Sequence, residues 1–232
     1  MAPRPLRALV IGHSHTTAIE KAVLADPGLD IVVINYGKTY EVGKRHKTLA
    51  PELAELYAPA RVFTAFGGSE HSVFGLIEAP VPFDFHLDAV PGVEPGRWVV
   101  PSGMIRRTLH AAMARKMALA AGARALFGVP VAHLCSPPPF GTIDDPMNLP
   151  RVFHDKLAAG IVPARLRRKL HHVHSAIVRD FCAENGIAFL EVPPESMDAE
   201  GYLRPEFATR DPTHGNHRYG RLVLRQIMEC AP

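Results

Sequence analysis

Residues 6–26 read LRALVIGHSHTTAIEKAVLAD. The first six form a short apolar run of strand length, and TTAIEKAVLAD carries a helical pattern. Between them, Gly12 leads into a serine held between His13 and His15. The rest of the chain repeats this passage from strand through polar loop to helix. Further runs suited to buried strands are LDIVVI from Leu29, RVFTAF from Arg61, VPVAHL from Val129 and GIAFLEV from Gly186. Helical patterns lie between them at LAPELAELY (49–57), Met104 to Leu126 and Arg165 to Glu184. In the last of these, Leu166, Leu170, Val173, Ile177 and Phe181 form one apolar stripe, and Asn185-Gly186 supplies a stop signal.

Parallel strands need crossover connections, and helices are the usual ones, so the alternation predicts an α/β protein with a parallel sheet covered on both faces. Ligands in such folds bind beyond the carboxyl ends of the strands. The stretches found there are GHSH, NYGK, GGSEHS and CSPPPF, each richer in Gly, Pro, Ser or His than the strand before it. Two segments break the pattern. Residues 78–102 carry prolines at 80, 82, 91, 95 and 101, and residues 136–164 contain SPPPF and DDPMNLP. Loops of this length in a compact domain are commonly lids or binding loops, and Phe140 and Trp98 are expected to pack such a lid.

The 232 residues are read as one domain, 1–232, with an apolar fraction of 47% and a mean hydropathy of +0.02. No apolar run approaches the roughly 20 residues of a membrane span, and the basic-then-apolar start lacks a small-residue cleavage site. A net charge of +3 is too balanced to predict nucleic-acid binding, and the RLRRKLHH cluster at 165–172 is expected to be a solvated helix face, with His171, His172 and His174 in water. Cys135, Cys182 and Cys230 make neither a CxxC pair nor an even framework, which fits buried thiols in a reducing compartment and a cytoplasmic location.

Near the C-terminus stands RDPTHGNHRYG, followed by a helical pattern, RYGRLVLRQIMEC. An aspartate three residues ahead of a histidine on a tight turn, Asp211 and His214, can accept the Nδ1 proton and leave Nε2 free to take a proton from a serine. With Ser14 after the first strand, glycine-bearing turns after the second and third, and this DxxH, the chain resembles the SGNH/GDSL serine hydrolases, a family of esterases and lipases. The resemblance implies a flavodoxin-like three-layer α/β/α sandwich with a central parallel five-stranded sheet. It also implies a Ser-His-Asp triad of Ser14, His214 and Asp211, working without a cofactor.

The family's oxyanion hole would be built from the backbone N–H of Ser14, the N–H of Gly37 in NYGK, and Ser69, which stands in Gly67-Gly68-Ser69-Glu70 where the family has an asparagine. His71 is the alternative to Ser69. The residue before the serine is His13 where the family commonly has an aspartate. His13, His15, Gly68 and Asn216 are candidates for substrate contact or support, with Asn216 and Tyr219 expected to buttress the turn around His214. His13, His15, His71 and His214 have no carboxylate in a recognised ligand spacing, so no metal site is expected. His133 is read as a core histidine.

The resulting expectation is hydrolysis of a short acyl or acetyl ester of a carbohydrate or small metabolite, with neither nucleic acid nor membrane as partner. Acyl transfer by the same residues is a close variant. A noncatalytic sugar-binding or accessory module is the rival reading, drawn from the departures at His13 and Ser69.

Overall fold

The computed structural model describes residues 2–39, 48–211 and 213–230. The chain opens with β1 (Arg4–Leu6), β2 (Ala8–Gly12), α1 (Thr16–Leu24), β3 (Ile31–Asn35) and the short α2 (Tyr36–Thr39). It continues through α3 (Glu52–Leu56), β4 (Tyr57–Pro59), β5 (Val62–Ala65) and α4 (Glu70–Gly75). After the two-residue strands β6 (Phe83–Asp84) and β7 (Trp98–Val99) come α5 (Ser102–Phe127), β8 (Val131–Leu134), α6 (Ala164–Glu184), β9 (Ala188–Leu190) and α7 (His217–Cys230).

The expected strands all enter one five-stranded sheet of order β3-β2-β5-β8-β9, and every pairing in it is parallel. The period of two along β2 explains the layering. Ala8 and Val10 face a core shared with Ile19 and Ala22 of α1 and Val223 and Ile227 of α7. Leu9 and Ile11 face the opposite core, shared with Leu109 and Met113 of α5 and Leu166 and Leu170 of α6. The first apolar run is not one strand: it breaks at Arg7, so that β1 pairs with β4 while β2 enters the main sheet.

The basic face of α6 corrects the expectation of a solvated cluster. Arg167, Lys169, His171 and His174 are all buried, because α4, α5 and the 78–102 and 136–164 segments close over this helix. Lys169 is 0% exposed and donates to Asp84 Oδ1 at 2.8 Å, the Phe85 carbonyl at 2.7 Å and the Gly92 carbonyl at 2.5 Å, which satisfies all its protons. Asp84 also accepts from the N–H groups of Phe85 and Glu94. Arg167 does the same for the other segment, donating to the carbonyls of Val162, Phe140 and Gly141. The proline-rich segments are thus stapled to α6 by buried cations. Trp98, expected to pack a lid, stands 72% exposed.

Removing one partner of a buried ion pair strands the other charge, so Lys169→Met is expected to lower the unfolding free energy by about 3–5 kcal/mol. Urea denaturation measures it. A loss below about 1 kcal/mol would show that the staple contributes little.

Candidate active site

Ser14 lies in the turn between β2 and α1, at the carboxyl edge of the sheet. That turn is closed by the N–H of Thr16 donating to the His13 carbonyl, by the Thr16 hydroxyl donating to the same oxygen at 2.7 Å, and by Thr17 N–H on the Ser14 carbonyl. The Ser14 side chain is left exposed.

His214 arrives from the other end of the chain. Its Nε2 is 2.8 Å from Ser14 Oγ, and its Nδ1 is 2.7 Å from Asp211 Oδ2. With Nδ1–H donated to the carboxylate, Nε2 accepts from the serine hydroxyl. Thr213 occupies the second carboxylate oxygen, with both its N–H and its hydroxyl on Asp211 Oδ1. Partial burial alone would raise the Asp211 carboxyl, but hydrogen bonds from His214 and Thr213 outweigh it and hold the group below its ordinary value.

Asn216 ties this turn to α7. Its Nδ2 donates to the carbonyls of Glu206 and Ala208, and its Oδ1 accepts from the N–H groups of Arg218 and Tyr219, as an N-cap does. The helix then meets α1 at a backbone contact: a Cβ on Gly220 would lie 1.9 Å from the Ala18 carbonyl oxygen. Only glycine allows α7 this close to the helix that follows Ser14.

The remaining candidates occupy a second ring around these groups. His13 Nδ1 accepts from the Gly67 N–H at 3.4 Å, and burial, aided by Lys116, lowers its pKa to about 4. The His15 ring lies 5.0 Å from that of His214, with both ring nitrogens out of contact with water. Burial, then the neighbouring His214, lowers the His15 pKa to about 3. Gly37 sits in α2, where a Cβ would touch His13 at 3.5 Å. Gly68 has φ +94° and faces His15 and Ser136 so closely that a Cβ would lie 2.8 Å from each.

Ser69 begins α4 without a side-chain capping bond. Its neighbour Glu70 is buried and accepts from Gly68 N–H, His174 Nε2 and Lys116 Nζ. Burial would raise that carboxyl, but His174 and Lys116 hold it far below the usual range. The His71 ring is 5.0 Å from those of both His171 and His174, inside the protein. His133 donates or accepts with the Thr64 hydroxyl at 2.8 Å in the core. Among the described residues, no group of three or more His, Cys, Asp or Glu side chains is arranged to hold a metal ion, and no helix is long and apolar enough to cross a membrane.

A cavity of about 360 Å³ opens over Ser14 and His214. Its walls include Thr17 and Lys21 of α1, Lys38 of α2, Pro137 and Thr209. Lys21, Lys38, Pro137 and Thr209 were not singled out from sequence. The signal for Lys21 was present, since it follows Thr17 by four residues and so shares its helix face. The 78–102 segment contributes nothing to this wall.

Known structures share the architecture over the whole chain. This chain shares its parallel α/β fold with solved acylhydrolase and esterase structures. A Streptococcus pneumonia protein named as a platelet activating factor superimposes with a TM-score of 0.56 at 14% identity, covering 99% of this chain and 84% of that one. A phospholipase A1 from Streptomyces albidoflavus gives a TM-score of 0.51 at 10% identity, with 100% of both chains covered. A catalytic mutant of an acetylxylan esterase from Geobacillus stearothermophilus gives 0.50 at 12% identity, over 99% of this chain and 94% of that one. No family model and no curated protein sequence matches the chain.

Proposed function

We propose that the protein hydrolyses an ester through Ser14. The observation that carries this reading is the unbroken hydrogen-bond chain from Ser14 Oγ through His214 to Asp211, seated on this parallel α/β fold and open to a cavity. Ser14 Oγ attacks the ester carbonyl carbon while His214 Nε2 takes its proton. The resulting oxyanion is held by the N–H groups of Ser14 and Gly37, with Ser69 at the third position. His214 then returns the proton to the departing alcohol as the carbon–oxygen bond breaks. Water, deprotonated by the same nitrogen, attacks the acyl group on Ser14; the acyl–oxygen bond breaks, His214 returns the proton to Ser14 Oγ, and the acid leaves.

Asp211 keeps the imidazole in the required tautomer and stabilises it when it is charged. His15 stays neutral beside it, so it adds no positive charge that would oppose protonation of His214. The substrate we favour is a short acyl or acetyl ester of a carbohydrate or small metabolite. The hydrogen-bonding side chains on the cavity wall, Thr17, Thr209 and Asn216, support that choice, as does the acetylxylan esterase among proteins of this fold.

A fluorophosphonate probe tests the proposal. One equivalent is expected to attach at Ser14, located by peptide mass spectrometry, with none on Ser14→Ala. Absence of labelling, or labelling at another serine, would overturn the assignment and favour a noncatalytic role for the cavity.

A further inference from the structure

The charges in the cavity over Ser14 do not balance. Its walls carry two lysines, Lys21 and Lys38, and one carboxylate, Asp211. Both oxygens of Asp211 are engaged, one by His214 and the other by Thr213. Elsewhere the chain pairs its inward-facing lysines: Lys116 with Glu70 and Lys169 with Asp84. Among the described residues, neither Lys21 nor Lys38 has a carboxylate partner.

The two lysines come from different elements. Lys21 belongs to the α1 face that also presents Thr17 and Ala18 to the cavity, while Lys38 follows Gly37 in α2. Among the described residues, a ligand seated against Ser14 therefore meets two cations and no free anion. Charge-assisted contacts are about twice as strong as neutral ones, and a concave site of one sign concentrates ligands of the other.

We infer that the site selects esters bearing an anionic group, a carboxylate or a phosphate, which Lys21 and Lys38 receive beside the scissile bond. This inference rests on the hydrolytic reading of Ser14.

Three acetyl esters matched in shape provide the test: 4-acetoxybenzoate, 4-acetoxyphenyl phosphate and the neutral 4-acetoxybenzamide. A second pair, mono-p-nitrophenyl succinate against p-nitrophenyl pentanoate, moves the charge to the acyl side. In at least one set the anionic ester is expected to exceed its neutral partner in kcat/KM by about tenfold, and the advantage should shrink as salt is added. Lys21→Gln combined with Lys38→Gln should bring that ratio close to one. Lys156→Gln, which removes an exposed lysine outside the cavity wall, should leave it where it was. The better of the benzoate and the phosphate identifies the kind of anion.

Calorimetric titration of Ser14→Ala with the same esters reads charge recognition without turnover. Lysine-dependent binding of the anionic esters with no hydrolysis by the wild type would uphold the anion site and overturn the hydrolytic reading. Hydrolysis with equal rates on charged and neutral esters, or a charge preference that survives the double lysine variant, would overturn the anion site and leave the hydrolytic reading intact.

Discussion

Ser14→Ala is expected to lower kcat on an activated ester by about four to six orders of magnitude, and His214→Ala by a similar factor. The serine hydroxyl is a weak nucleophile unless a base takes its proton, and Nε2 of His214 is the base within hydrogen-bond distance, at 2.8 Å. Because the two groups act on one proton, the double variant should lose little beyond either single one. Asp211→Asn keeps the size of the side chain but can present an N–H to His214 Nδ1, which favours the wrong tautomer, and a loss of about 10⁴ in kcat is expected. Steady-state kinetics on p-nitrophenyl acetate settle the matter. Multiplicative losses in the double variant, or a Ser14→Ala protein retaining a tenth of the wild-type rate, would remove these residues from the chemistry.

A second large effect is expected in acid. His133 and His171 are buried with pKa values lowered to about 4, His15 to about 3, and His71 well below the ordinary 6.5, in each case chiefly through burial. These rings are neutral in the folded protein, whereas the unfolded chain takes up their protons once pH falls below about 6.5. The unfolded state then binds more protons, so stability rises with pH in this window and is lost as pH falls. Each ring contributes up to about 1.4 kcal/mol per pH unit, and the four together roughly 5, against a total stability of about 5–15 kcal/mol for a typical domain.

Glu70 works in the same direction at lower pH. Its carboxyl is depressed in the fold by His174 and Lys116, so its contribution is present above the ordinary carboxylate range and falls away as the unfolded chain protonates. Cooperative unfolding is therefore expected within roughly two pH units below 6.5. Circular dichroism melts from pH 7.5 to 4 would show it. A melting temperature unchanged down to pH 4.5 would mean that these histidines are not held neutral.

The sheet was legible because each central strand is a short apolar run bounded by polar or glycine-bearing loops, as in LDIVVI and VPVAHL. The local half of the candidate site was legible too: Asp211 and His214 are three residues apart on one turn, and their contact needs no distant partner. Burial on α6 was hidden for the opposite reason. The apolar stripe through Leu166, Leu170 and Val173 marks one inward face, but Lys169 is buried by Asp84, 85 positions away, and His174 by Glu70, 104 positions away. A window of sequence cannot show that a charged residue will find its partner at such separations. Lys38 was hidden too, because it acquires meaning only once α2 is placed beside Ser14.

The Gly220 contact has a consequence during synthesis. Ser14 leaves the ribosome 200 residues ahead of the base that would activate it, which is carried by the turn that leads into α7. Until α7 emerges and its glycine lets it seat against Ala18, a nascent chain holds a serine without a base. Under the proposed mechanism, the growing polypeptide stays inert toward esters until α7 docks, and the onset of activity would report the seating of that helix against α1.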